Sequence, residues 1–208
     1  MTTMTFQFIH QLFDARLAQA PAQEFLYTHN ATLTLADLGA LVDTLVQELQ
    51  ADGVQPGDRV LIVAENCPEH VALILACSRV GAWSCGVNAR MSRGEVAAFI
   101  EKADPRVVYF THGVSEAASA HAQQAHARSS VLPGLARSAV RTQAVAEQGE
   151  LASRVAAIIF TSGTTGTPKG VLVSHQGLLQ FGRVSTESRQ LSAADRSYAY
   201  LPMTHIFG

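Results

Sequence analysis

RVLIVAENCPEHVALILACSRVGAWSCGV, Arg59 to Val87, reads as strand, helix and strand in one unbroken stretch. Arg59 to Ala64 is a short apolar, β-branched run suited to a strand buried on both faces. Asn66, with Glu69 three residues on, supplies a helix N-cap signal, and the apolar run through Val71, Leu73, Ile74 and Leu75 continues to Val80, where Gly81 stops it. Trp83 to Val87 is then the next strand.

The same alternation extends both ways. Upstream, Leu35, Leu38, Val42, Leu45 and Leu49 recur three or four residues apart, so Thr34 to Gly53 predicts a helix with one apolar face. Thr34 with Asp37 is a capping signal, Gly53 a stop, and QPGD a turn into Arg59. Downstream, Ser92 and Glu95 cap VAAFIEKA, and Arg106 to Thr111 reads as a further strand. Strands alternating with helices require crossover connections, which predicts an α/β layered fold: a mainly parallel sheet flanked by helices.

Composition narrows the function classes. The 208 residues are 48% hydrophobic and 15% charged, enough apolar material for a sizeable core and too much for a disordered chain. A net charge of -2 with both signs dispersed argues against nucleic acid or anionic membrane as partner and favours small molecules. No stretch reads as a bilayer span or a secretory leader, so the expected location is cytoplasmic. Cys67, Cys77 and Cys85 make neither an even disulfide framework nor a CxxC pair. Cys77, inside an apolar helical pattern, is expected to be core packing.

Between Ala117 and Arg154 the chain turns rich in Ala, Ser, Gln and His and loses apolar periodicity, which predicts a variable, partly helical connection. His121 and His126 have the wrong spacing for two metal ligands on one helical face and are expected in solvent.

The chemistry concentrates further on, in FTSGTTGTPKGVLVSH, Phe160 to His175. AAIIF before it and VLVSH at its end read as strands, with a helix beginning near Gln176, so the loop is held between rigid elements. Gly163, Gly166 and Gly170 let successive amide N–H groups turn toward one ligand, which makes an anion cradle. Hydroxyls of Thr161, Ser162, Thr164, Thr165 and Thr167 reach phosphate oxygens, and Lys169 sets a compact positive charge against them. Triphosphate is the natural ligand. The string is not GxxxxGK[ST]: counted from Gly163, Pro168 stands at the second glycine and Gly170 at the magnesium-binding hydroxyl.

Thr161 to Val171, TSGTTGTPKGV, resembles without a gap the signature loop of the adenylate-forming superfamily, which includes acyl-CoA synthetases, luciferases and peptide-synthetase adenylation domains. Leu33 to Phe110 is similar to that family's opening α/β unit, and LPMTHIFG, Leu201 to Gly208, to the segment whose histidine or aromatic borders the acyl-substrate pocket. The resemblance implies that residues 1–208 are a partial AMP-binding (adenylation) domain, with the connection at about 117–154 variable and the carboxy-terminal lid domain absent.

The resemblance further implies ATP-dependent activation of a carboxylic acid through an acyl-adenylate with release of pyrophosphate, then thioester formation with CoA. Thr161, Ser162, Gly163, Thr164, Thr165, Gly166 and Lys169 would hold the pyrophosphate end of ATP, and His205 would border the acid. Partners are then a small carboxylic acid, ATP with Mg²⁺, and CoA as co-substrate, within a fatty-acid or aryl-acid ligase. The family's catalytic and metal-binding residues fall beyond Gly208, so none is assigned. Gly208 interrupts a motif, which predicts a truncated chain whose activity is incomplete. Two alternatives stand: an inactive fragment that binds nucleotide phosphates or a partner, and a peptide-synthetase-type amino-acid adenylation domain. Apolar surface at an incomplete sheet makes a homo-oligomer possible.

Overall fold

The computed structural model describes residues 6–161 and 169–205. Helix α1 (Ile9–Gln19) precedes a hairpin of β1 (Glu24–Tyr27) and β2 (Thr32–Thr34), then α2 (Leu35–Ala51), β3 (Arg59–Ala64), α3 (Pro68–Val80), β4 (Trp83–Asn88), α4 (Arg93–Ala103) and β5 (Val107–Phe110). After these come α5 (Glu116–Gln124), β6 (Arg128–Ser129), β7 (Ala136–Arg137), α6 (Glu150–Arg154), β8 (Val155–Thr161), β9 (Lys169–Ser174) and α7 (His175–Ser188).

The main sheet runs β6-β7-β5-β3-β4-β8-β9. Its centre, β5-β3-β4-β8, is parallel, whereas β7 joins β5, β6 joins β7 and β9 joins β8 antiparallel. The α/β fold with a mainly parallel sheet is therefore as the alternation predicts.

Pleating divides the core into two layers. Val60 and Ile62 of β3 with Val107 and Tyr109 of β5 pack against Leu38, Val42, Leu45 and Leu49 of α2 and Leu73, Ala76 and Cys77 of α3. Their neighbours Leu61, Val63, Val108 and Phe110 turn the other way, onto Val96, Phe99 and Ala103 of α4 and Ala118 and Ala122 of α5. The strands are apolar on both sides because both sides are covered.

Local signals explain most helix ends. The Thr34 hydroxyl accepts from the Asp37 N–H at 3.1 Å while the Asp37 carboxylate accepts from the Thr34 N–H at 2.8 Å. Ser92 and Glu95 repeat the exchange at 3.3 and 2.8 Å. Gly81, at φ 76°, closes α3 in the left-handed region. One expected cap is different: α3 begins at Pro68 with Cys67 as N-cap, because proline fits the first helical position and has no N–H to satisfy. Asn66 is thereby released for another task.

The 117–154 connection contains α5 and α6 and also adds β6 and β7 to the sheet edge. A carboxylate on the buried face of α2 holds that edge: Glu48 accepts from the Tyr109 hydroxyl at 2.9 Å, the Ser130 hydroxyl at 2.6 Å, the Val131 N–H at 3.0 Å and Arg137 Nε at 2.9 Å. A buried charge persists when its oxygens are this fully bonded. His121, expected in solvent, is buried instead, while His126 is exposed.

Candidate active site

Right-handed crossovers send α3 to one face of the sheet and α4 to the other from neighbouring strands β3 and β4. Where the connections diverge, the carboxyl ends of the strands leave a crevice, the place where open α/β sheets bind ligands. Its rim is polar and braced. Arg90, just past β4, reaches Glu65, just past β3, at 3.3 and 2.9 Å. The Ser115 hydroxyl donates to Glu65 at 3.0 Å, and the Arg90 guanidinium holds the Glu65 carboxyl below its ordinary range. His121 Nε2 donates to the Ala89 and Met91 carbonyls at 3.1 and 3.0 Å, fixing the turn that carries Arg90. The acceptors are both carbonyls, so the proton sits on Nε2.

The segment 199–205 lies across this crevice. Asn66 Nδ2 donates to the Ala199 carbonyl at 3.2 Å and the Leu201 carbonyl at 2.7 Å, and Asn66 Oδ1 accepts from the Met203 N–H at 2.8 Å. Thr204 packs on β4 so closely that a Cβ at Gly86 would stand 3.3 Å from its Cα. An apolar cleft of ≈ 330 Å³ opens there, with Val87, Met91, Phe99, Phe160, Pro202 and His205 among its walls. The Phe99 and Phe160 rings meet at 4.7 Å between centroids. His205 is exposed at the cleft mouth, its N–H donating to the Pro202 carbonyl at 2.9 Å.

Phe160 is the penultimate residue of β8, and β8 is parallel to β4, so the glycine-rich loop leaves the sheet on this same rim. Thr161 and Lys169 are directly paired across β8 and β9, both exposed, with the Thr161 hydroxyl 3.5 Å from the Lys169 carbonyl. Ser162, Gly163, Thr164, Thr165 and Gly166 lie outside the described residues. Gly170 lies close against β8, where a Cβ would come 3.0 Å from Ile158 Cγ2.

Helix α7 starts directly after β9, its Ser174 hydroxyl accepting from the Gly177 N–H at 3.0 Å. His175 Nδ1 accepts from the Ile9 N–H at 3.4 Å, and Gln176 Nε2 donates to the Phe6 and Gln7 carbonyls at 3.1 and 3.2 Å. The Phe8 ring meets His175 edge-on at 5.0 Å. Burial pushes the His175 imidazole down to about 4, so it is neutral and able to accept that amide.

The three thiols offer no competing chemistry: Cys67, Cys77 and Cys85 are free, and burial raises each pKa, Cys67 and Cys85 to about 12. Among the described residues no group of three or more His, Cys, Asp or Glu side chains could hold a metal ion. No helix among them is long and apolar enough to cross a membrane.

The sequence reading singles out the loop and His205 and does not bring Asn66, Gly86, Glu65 or His121 to this rim, where the structure places them. NCPE read as a capping signal concealed Asn66, and the other residues join the site only through contacts far along the chain.

The family described as "AMP-binding enzyme" matches residues 13–208. The chain is 28% identical over 189 residues to the nonribosomal peptide synthetase gliP of Aspergillus fumigatus, covering 89% of this chain and 9% of that one. It is 29% identical over 216 residues to an indoleacetate–CoA ligase of Aromatoleum aromaticum, covering 96% and 41%. Among solved structures, VinN with L-aspartate superposes with TM-score 0.76 at 21% identity, covering 96% of this chain and 57% of that one. A putative long-chain-fatty-acid CoA ligase of Rhodopseudomonas palustris gives TM-score 0.72 at 25% identity, covering 95% and 52%. The chain therefore spans less than half the length of these curated relatives and about half of these solved chains.

Proposed function

The chain belongs to the AMP-binding enzyme family, and on that premise we propose that it is the amino-terminal part of an acid–thiol ligase that makes an acyl-CoA through an acyl-adenylate. A carboxylate oxygen of the acid attacks the α-phosphorus of ATP, the bond to the bridging oxygen breaks, and pyrophosphate leaves. The thiolate sulfur of CoA then attacks the acyl carbon, and AMP departs with the electron pair of the C–O bond.

The observation that carries this reading is the uninterrupted string Thr161 to Val171, in which the paired Thr161 and Lys169 stand on the rim beside the apolar cleft. Adenylyl transfer needs positioning and neutralisation of departing charge more than covalent help. Amides and hydroxyls of Thr161 to Gly166 and the ammonium of Lys169 supply that at the pyrophosphate end of ATP. Among the described residues no group of three or more His, Cys, Asp or Glu side chains could hold Mg²⁺, so no residue of this chain is assigned to it. The apolar cleft beside His205 suits the body of an organic acid.

CoA as acceptor is favoured by the His205 segment and by CoA ligases among the relatives. Peptide synthetases among them support the second reading, adenylation of an amino acid for a carrier protein. The test is ATP–pyrophosphate exchange by the full gene product and its Lys169→Ala variant, over a panel of fatty, aromatic and amino acids. Loss of about 100-fold or more in exchange is expected from removing one charge aimed at the leaving group; an unchanged rate refutes the assigned role. Thioester formation with carrier protein but not with CoA would overturn the CoA assignment.

A further inference from the structure

Asn66, freed from capping α3, is the residue of β3's outgoing turn that grips the distant segment 199–203. Its amide is used completely in one direction: both carbonyls require the Nδ2 donors, and the Met203 N–H requires Oδ1 as acceptor, so the orientation is fixed by its partners. The held backbone leads straight into Thr204, seated on Gly86, and His205, at the cleft mouth. The same segment also separates that cleft from a second cavity of ≈ 590 Å³, walled by Tyr27, Pro68, Val71, Tyr198 and Met203 among others.

We propose that Asn66 is a positioning residue for the acid-binding cleft: it latches segment 199–203 to the end of β3 and so sets where Thr204 and His205 stand. Among the described residues its side-chain hydrogen bonds all go to segment 199–203. The latch spans two walls that no regular secondary structure connects among the described residues, because 199–205 contributes no strand to the sheet. A side-chain amide therefore substitutes for a missing ladder. The link to acid binding rests on the functional reading of the cleft given above; the latch itself does not.

Two measurements separate these. Hydrogen exchange of the full chain reads the latch without reference to activity. In Asn66→Ala the Met203 amide is expected to exchange about 10-fold faster or more, while amides of β3, β4 and β5 change less than twofold. Unchanged exchange at Met203 overturns the latch, as does equal acceleration throughout the sheet.

In the full gene product, Asn66→Ala is expected to raise KM for the acid about 10-fold and leave KM for ATP within twofold. Equal changes in both constants, or none, overturn the positioning role. Asn66→Asp, nearly isosteric, places a carboxylate against the Ala199 and Leu201 carbonyls. Its acid KM, relative to wild type, is expected to fall as pH drops and protonation restores a donor; a flat ratio overturns the assignment to those two hydrogen bonds. If wild type exchanges pyrophosphate with no carboxylate, the functional reading fails and the Met203 amide still decides the latch.

Discussion

His70 stands in the first turn of α3, only 1% exposed, and burial holds its imidazole down to about 4 from an ordinary 6.5. The folded chain keeps it neutral where the unfolded chain takes a proton. Unfolding therefore binds protons between these values, and stability is full above pH 6.5 and lost as pH falls toward about 4. At about 1.4 kcal/mol per pH unit the loss reaches about 3 kcal/mol at the lower limit, of which about 2 kcal/mol is gone by pH 5. The assay is urea unfolding of wild type and His70→Gln at pH 7.5 and pH 5.0. His10 and His175, whose pKa values burial also lowers, are present in both chains and cancel in the comparison. Wild type should lose about 2 kcal/mol more than the variant between these pH values. Equal losses would refute the claim that His70 is buried in its neutral form.

Two further outcomes follow from the sheet's opposite ends. Arg106 makes a bidentate pair with Asp58, 1% exposed, at 3.1 and 3.1 Å; Arg106→Ala leaves that carboxylate buried and unpaired, and urea unfolding should show a cost of about 3–5 kcal/mol. At the carboxyl end, Gly86→Val drives a branched side chain into Thr204. Overpacking of this kind costs about 1–3 kcal/mol, and the acid-dependent kcat/KM should fall further than the ATP-dependent one.

How much was legible follows from the range of each interaction. The α2 face Leu35, Leu38, Val42, Leu45 and Leu49 is read directly, because a helix repeats its environment every turn, and all five residues are buried. The capping exchanges of Thr34 and Ser92 are equally local. Glu48 sits among the same buried positions and was unreadable, because its partners come from β5, from β7 and from the loop joining β6 to β7, 61 to 89 residues on. Strands β6 and β7 are two residues each, too short to carry any period. His121 looks like a surface histidine until the Ala89 and Met91 carbonyls are placed against it.

The site is divided along the same line. The part proposed to bind phosphate is a contiguous string, because a cradle of successive backbone amides is contiguous by construction. The cleft proposed for the acid is assembled from the ends of β4 and β8, helix α4 and segment 199–205, and no contiguous string can encode it. Parallel strands reconcile the two. Once β3, β4 and β8 run the same way, every outgoing turn lands on one rim, so the loop, the Glu65–Arg90 brace and Asn66 arrive together without any being adjacent in sequence. The sheet direction, legible from Arg59 to Val87, thus predicts where the chemistry gathers, and the side chains that hold the far wall follow only from the fold.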